Sequence, residues 1–228
     1  MIRFPLAALD DVICDTCDQL PPFGHIFWHT HSERYLWREL AVGILGSRVR
    51  NDVVQRTVSL LDEAQMFSQG CGNTCLDQLE ADAVAILARS YPYYRRGASY
   101  LRRAVDSVRR EYGGSLSALL KSAIDMGHAR RLLINNVVGI GPKQASLFLR
   151  NIGYATRIAI LDSHVLQYMS MAGVSCSNPR TVATVPGYER LERRFIARAQ
   201  HFGYSPCRFD IAVWIVMRIA KEQSRLCK

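Results

Sequence analysis

No apolar run in this 228-residue chain approaches the ~18 residues that a membrane-spanning helix needs. The longest, Leu40–Gly46 and Ile211–Met217, have seven residues each. The opening residues, MIRFPLAALDD, lack the apolar core of a secretory signal. Strand signals are scarce as well. The one β-branched stretch, Thr181–Val185, lies between Pro179 and Pro186 and reads as a loop. There is no low-complexity tract, long linker or solenoid repeat. Acidic residues are in deficit, with 20 Asp+Glu against 29 Lys+Arg, a net charge of +9. With 49% apolar and 21% charged residues, the usage is globular rather than disordered. The charge points to an anionic partner, of which nucleic acid is the commonest for a cytoplasmic protein.

Seven cysteines is an odd number, and without a signal segment they read as reduced thiols of a cytoplasmic protein. Cys14-x2-Cys17 and Cys71-x3-Cys75 offer two halves of a zinc site, but more than fifty residues separate them. No histidine stands at finger-like spacing beside either. The expectation is therefore no metal and no cofactor.

What is present is helical periodicity. Apolar residues recur at helical spacing over Arg34–Leu45, Val53–Phe67, Leu76–Ala88, Leu101–Val108, Leu116–Met126 and Arg130–Val137. The same spacing marks Gln144–Ile152, Val165–Met171, Leu191–Ala199 and Phe209–Ile219. Glycines stand where these segments stop. The predicted fold class is all-α. Arginine pairs at 95–96, 102–103 and 109–110 repeat every seven residues, a spacing that returns to one helix face within ~20°. Tyrosines 91, 93, 94 and 100 are interleaved with them. The stripe reads either as a solvated outer face or as a phosphate-contacting one.

The chemistry concentrates in Ala129–Met169. A helix ending near Asn136 is followed by Val138-Gly139-Ile140-Gly141 and then by Pro142, a residue suited to the first helical position. The two glycines allow positive φ and close backbone approach, and Ile140 plugs the turn from below. Such a turn presents helix-N-terminal amides to a phosphate, a grip that reads no sequence. Lys143 follows, beside a positive helix end that disfavours its ammonium form and favours a Schiff-base nucleophile. Asp162 stands 19 residues on, after the apolar Ile158–Leu161 run. There it can cap the next helix and also face a cleft.

This segment closely resembles the helix-hairpin-helix–Gly/Pro…Asp superfamily of DNA glycosylases, and most closely the archaeal-type 8-oxoguanine DNA glycosylase/AP lyases. The likeness runs from about Arg34 to Trp214, including RYLWRELAVGILGSRVR, YPYYRRGASYL and the Asp210-x3-Trp214 pattern. It implies two helical lobes flanking a cleft, with the hairpin at about 129–152 and residues 1–228 acting as a single unit. It also implies a bifunctional enzyme of base excision repair. By resemblance, Lys143 attacks C1′ of the damaged nucleotide, Asp162 assists as a counter-charge, and His164 contacts DNA phosphate. Gly139, Ile140 and Gly141 form the backbone grip. The implied partner is double-stranded DNA containing a modified base, met by a monomer, without cofactor.

Two departures bear on the substrate. Arg48 stands where the family usually carries Gln, at the opened helix. The family's terminal base-recognising lysine has its counterpart only in Lys228, fourteen positions beyond Trp214. Trp214 itself reads either as a base-stacking ring or as core. A variant reading keeps the chemistry and changes the base, to a modified cytosine in phage DNA and a role in antiviral defence. A reading of another class, a non-catalytic DNA-binding module, leaves Lys143 and Asp162 without purpose. A third, a small RNA-binding protein, rests on charge and the arginine stripe alone.

Overall fold

The computed structural model describes residues 5–21, 27–67, 75–174 and 181–226. Eleven α-helices account for most of them: α1 (Leu6–Gln19), α2 (Glu33–Leu45), α3 (Asn51–Glu63), α4 (Leu76–Leu87), α5 (Tyr94–Tyr112), α6 (Leu116–Lys121), α7 (Met126–Asn136), α8 (Pro142–Asn151), α9 (Ser163–Met171), α10 (Val185–His201) and α11 (Pro206–Leu226). Short 3₁₀ turns occupy Trp28–Thr30 and Thr181–Ala183. No strand occurs among the described residues, so the all-α expectation holds. No helix among them is long and apolar enough to cross a membrane.

The chain divides into two compact units. One is continuous, Ile26–Tyr154; the other is assembled from Met1–His25 and Ala155–Lys228. In the continuous unit, α2 supplies a nearly unbroken buried run from Leu40 to Leu45. Its N-cap Ser32 accepts a hydrogen bond from the Tyr35 amide. Glu33, in its first turn, reaches across the fold to α6. There its carboxylate accepts from Ser115 Oγ (2.7 Å), the Leu116 amide (2.9 Å) and the Ser117 amide (2.9 Å). One acid thus satisfies two orphan donors of a helix more than 80 residues away. Tyr91 locks the start of α5 to α2 by donating from its hydroxyl to the Leu45 carbonyl at 2.8 Å. A side chain at Gly97 would lie 2.9 Å from Leu45, so only glycine lets α5 come this close.

The split unit packs α1, α9, α10 and α11 around Ile13, Tyr168, Phe195, Phe209 and Val213. Two polar devices tie α1 in. Arg208 of α11 donates to the carbonyls of Cys17 (2.6 Å) and Leu20 at the helix C-terminus. Asp10 accepts from half-buried Arg198 (2.7 Å) and from the hydroxyl of buried Tyr168 (2.6 Å). Burial pushes the Tyr168 phenol well above its ordinary range, with the bond to Asp10 adding to it.

Three differences from the periodicity reading have local causes. Helix α1 does not show in the periodicity: it has no side-chain cap, and it buries only Leu9, Ile13 and Cys17, a stripe too narrow to stand out among its aspartates. The expected helix Leu116–Met126 stops at Lys121, and α7 begins at Met126 because Asp125 caps it, accepting from the His128 amide at 2.6 Å. The expected loop at 181–185 forms a 3₁₀ turn, and Thr184 then caps α10.

Candidate active site

The hairpin is α7, a turn at Val137–Gly141, and α8. Gly139 has φ +91°, and a β-carbon there would sit 2.4 Å from Cδ2 of Tyr100, so the position admits only glycine on two counts. Ile140 is buried, and its Cδ1 would stand 3.6 Å from a β-carbon at Gly43 of α2. It is the plug the sequence predicted. Gly141 is the N-cap of α8 in extended conformation, with Pro142 next, and no side chain caps the helix. The amide end of α8 is thus without a side-chain cap, an arrangement that in general leaves helix amides open to an anion. Lys143 is the second residue of this helix and is half-buried. Only four of the 29 basic residues are lysines: Lys121, Lys143, Lys221 and Lys228.

Asp162 is the N-cap of α9. Its Oδ1 accepts from the amides of His164 and Val165, both at 2.9 Å. Oδ2 takes no hydrogen bond from the described residues. The capping reading of the sequence is thus realised with one oxygen, and the other is left over. Lys143 belongs to the continuous unit and Asp162 to the split one.

The approach to Asp162 is held by Tyr188 and Glu192, which sequence reasoning did not single out, and by Asp210, which it named only within the Asp210-x3-Trp214 pattern. Ile158–Leu161 is buried but not helical, so its amides need partners from elsewhere. Three side chains supply them. Glu192 accepts from the Ala159 amide at 3.1 Å, and Asp210 from the Ile160 amide at 2.7 Å. The Tyr188 hydroxyl accepts from the Leu161 amide (3.1 Å) while donating to the Ala159 carbonyl (2.9 Å). All three side chains are at most 3% exposed. This clamp fixes the register in which the chain enters Asp162. Removing one acceptor leaves a buried amide unsatisfied, at a cost of about 1–3 kcal/mol. Tyr188 and Glu192 stand at i, i+4 on α10 and Asp210 in the apolar first half of α11, but that spacing does not say which amides they meet.

Beside Asp162, His164 is half-buried, with its Nδ1 buried and without a hydrogen-bond partner. Its ring meets Trp214 edge-on, at 6.5 Å between centroids. Trp214 is 38% exposed and carries the Arg218 guanidinium over its ring at 5.1 Å. It is therefore not core, and of the two readings of this tryptophan the exposed ring stands. Lys228 lies outside the described residues. Arg48, exposed in the turn between α2 and α3, has φ +61°, a left-handed conformation unusual for arginine.

Of the proposed zinc halves, Cys14 and Cys17 are free thiols on α1, Cys75 is the exposed N-cap of α4, and Cys71 lies outside the described residues. No cluster of three metal-ligating side chains occurs among the described residues.

The family model for 8-oxoguanine DNA glycosylase matches residues 20–204. The 8-oxoguanine DNA glycosylase/AP lyase of Thermotoga maritima is 37% identical over 105 residues, 46% of this chain and 49% of that one. The match thus spans about half the length of that relative. Among solved structures, the 8-oxoguanine DNA glycosylase of Thermotoga maritima superposes with a TM-score of 0.67 at 24% identity, covering 92% of this chain and 93% of that one. The 8-oxoguanine glycosylase/lyase of Methanocaldococcus jannaschii, in complex with a 15-mer DNA containing 8-oxoguanine, gives 0.67 at 21% identity, covering 90% and 88%.

Proposed function

The chain belongs to the 8-oxoguanine DNA glycosylase family, and from that premise we propose that it is a bifunctional DNA glycosylase/AP lyase that excises 8-oxoguanine through a lysine Schiff base. The observation that carries the reading is Lys143 at the second position of a helix whose amide end is uncapped and sits behind a glycine turn. The turn and amides hold a phosphate of the duplex, and the damaged nucleotide is extruded from the stack. Lys143 Nζ bonds to C1′ as the glycosidic bond breaks, and the electron pair of that bond leaves with the base. The second carboxylate oxygen of Asp162, the one not used in capping, stabilises the positive sugar. The ring then opens to an imine; loss of a C2′ proton expels the 3′ phosphate and cuts the strand. Residues 1–228 act as one functional unit, a monomer on double-stranded DNA. His164 meets a phosphate, Arg48 enters the space left in the duplex, and Trp214 offers its exposed face to the base.

Borohydride trapping on duplexes carrying 8-oxoguanine, other oxidised bases, uracil, modified cytosines or no lesion tests this. The expected result is an adduct with 8-oxoguanine, mapped by digestion to Lys143 among the four lysines and absent from Lys143→Gln, which still binds DNA. An adduct that persists in the variant rejects the nucleophile. An adduct only with a modified cytosine keeps the chemistry and moves the role toward antiviral defence. Binding with no adduct on any duplex makes the protein a DNA-binding module.

A further inference from the structure

The arginine stripe of α5 does not behave as one face. Taking 100° per residue from Tyr100, Arg96 and Arg103 lie about 40° and 60° to one side, whereas Arg95, Arg102 and Arg109 lie about 140–180° away. Of the second set, Arg102 reaches α4. There it pairs with Asp77 at 3.1 Å and Glu80 at 3.3 Å. Arg95 donates to the Tyr94 hydroxyl at 3.2 Å. Arg110 pairs with Asp106 on its own helix at 3.3 Å.

Arg96 and Arg103 lie on the other side of the helix, the side of Tyr100. Both are exposed, and neither has a carboxylate partner among the described residues. Arg96 is held over the Tyr93 ring at 4.5 Å, which keeps its side chain extended on the surface. Their flank of α5 is the one that packs on the hairpin: the Tyr100 ring fills the space at Gly139 that a β-carbon would take. Acidic α4 thus compensates Arg102, while Arg96 and Arg103 stay uncompensated on the side that adjoins the glycine turn.

We propose that Arg96 and Arg103 continue the hairpin's phosphate site as a track along α5 for the sugar–phosphate backbone of duplex DNA. Seven residues of helix rise about 10.5 Å, which sets the two side chains far enough apart to meet separate phosphates. Both guanidiniums can then engage the backbone without reading its sequence. The track deepens the DNA-acting function proposed above and rests on it.

The test is the salt dependence of binding to an undamaged duplex, by fluorescence anisotropy between about 50 and 200 mM salt. Every phosphate that the protein ceases to neutralise lowers the slope of log K against log salt by about 0.9. In Arg96→Gln/Arg103→Gln, the fall in affinity over that fourfold range should therefore shrink by about twelvefold. The charge-retaining pair Arg96→Lys/Arg103→Lys should keep the wild-type slope, and so should Arg102→Gln, whose charge is already engaged by α4. An unchanged slope in the double glutamine variant, or equal flattening in Arg102→Gln, overturns the track. So does flattening seen on single-stranded RNA alone. Trapping of wild-type protein on 8-oxoguanine, run alongside, separates the two ideas. Trapping with an unchanged slope removes the track and leaves the enzyme; flattening without trapping leaves the track and removes the enzyme.

Discussion

Replacing Asp162 separates the capping that its carboxylate does at the entry of α9 from the catalytic role proposed for it. Its Oδ1 caps the helix through the His164 and Val165 amides, while Oδ2 is unengaged by the described residues. Asparagine and serine cap about as well as aspartate, whereas alanine costs ~1 kcal/mol. Loss of the negative charge at the helix N-terminus adds about 0.3–1 kcal/mol to any of the three variants. For a chain of this size each kcal/mol is worth about 2–4 °C in Tm. Asp162→Asn and Asp162→Ser should thus melt within about 4 °C of the wild type, and Asp162→Ala about 3–8 °C lower. Base release should order differently. All three variants lose the charge that faces the sugar cation, so single-turnover excision should fall about 10²–10³-fold in each. The assay is quenched excision from an 8-oxoguanine duplex at saturating enzyme, beside thermal melting. If Asp162→Asn excises at the wild-type rate, the residue is a cap and nothing more. If rates follow melting temperatures instead, the charge argument fails.

Other expectations are simpler. Gly139→Ala combines a left-handed backbone, about 1–2 kcal/mol, with overpacking against Tyr100, about 1–3 kcal/mol. Urea unfolding should show a loss of about 2–5 kcal/mol, and a loss below about 1 kcal/mol would contradict the packing described. The Cys17 thiol is pushed up to about 12, chiefly by burial, with Cys14 and Asp18 adding and Arg208 opposing. At pH 8 iodoacetamide should modify exposed Cys75 and spare Cys17, as read by peptide mass mapping. Because the unfolded thiol ionises near 9, the contribution of Cys17 to stability is complete below that pH and is lost as pH rises toward 12. Cys17→Ala should flatten the alkaline fall in urea midpoint between pH 9 and 11; an unchanged fall would place its origin elsewhere.

Legibility in the sequence followed the range of each interaction. The helices were readable because a 3.6-residue period is a local property, and the hairpin because Gly-Ile-Gly-Pro-Lys constrains its own backbone. The cap at Asp162 was readable for the same reason, its donors lying two and three residues on. The clamp on Ile158–Leu161 was not, since its acceptors stand 27 to 50 residues away and no periodicity reports which amide a buried carboxylate will meet. The arginine stripe shows the same limit. Seven-residue spacing says which positions repeat around a helix, but only the packing of α4 says which of them are compensated. For Trp214 the apolar neighbours in sequence were compatible with core or surface, and its accessible ring decides the matter.

The split of the chain into an uninterrupted segment and one built from two stretches has a consequence for its synthesis. Residues 26–154 carry all the helices of their own unit and can assemble as soon as they leave the ribosome. Helix α1 emerges before them, yet the side chains that hold it, Tyr168, Arg198 and Arg208, are made after them. At about 5–20 residues per second, the Ile13 stripe waits roughly ten seconds or longer for α9–α11. During that interval the aspartates of α1 keep this part of the nascent chain hydrated, and the unit holding Asp162 is completed only after the one holding Lys143. A product of translation ending before α9 would therefore carry the hairpin and Lys143 without Asp162 and the side chains that position it.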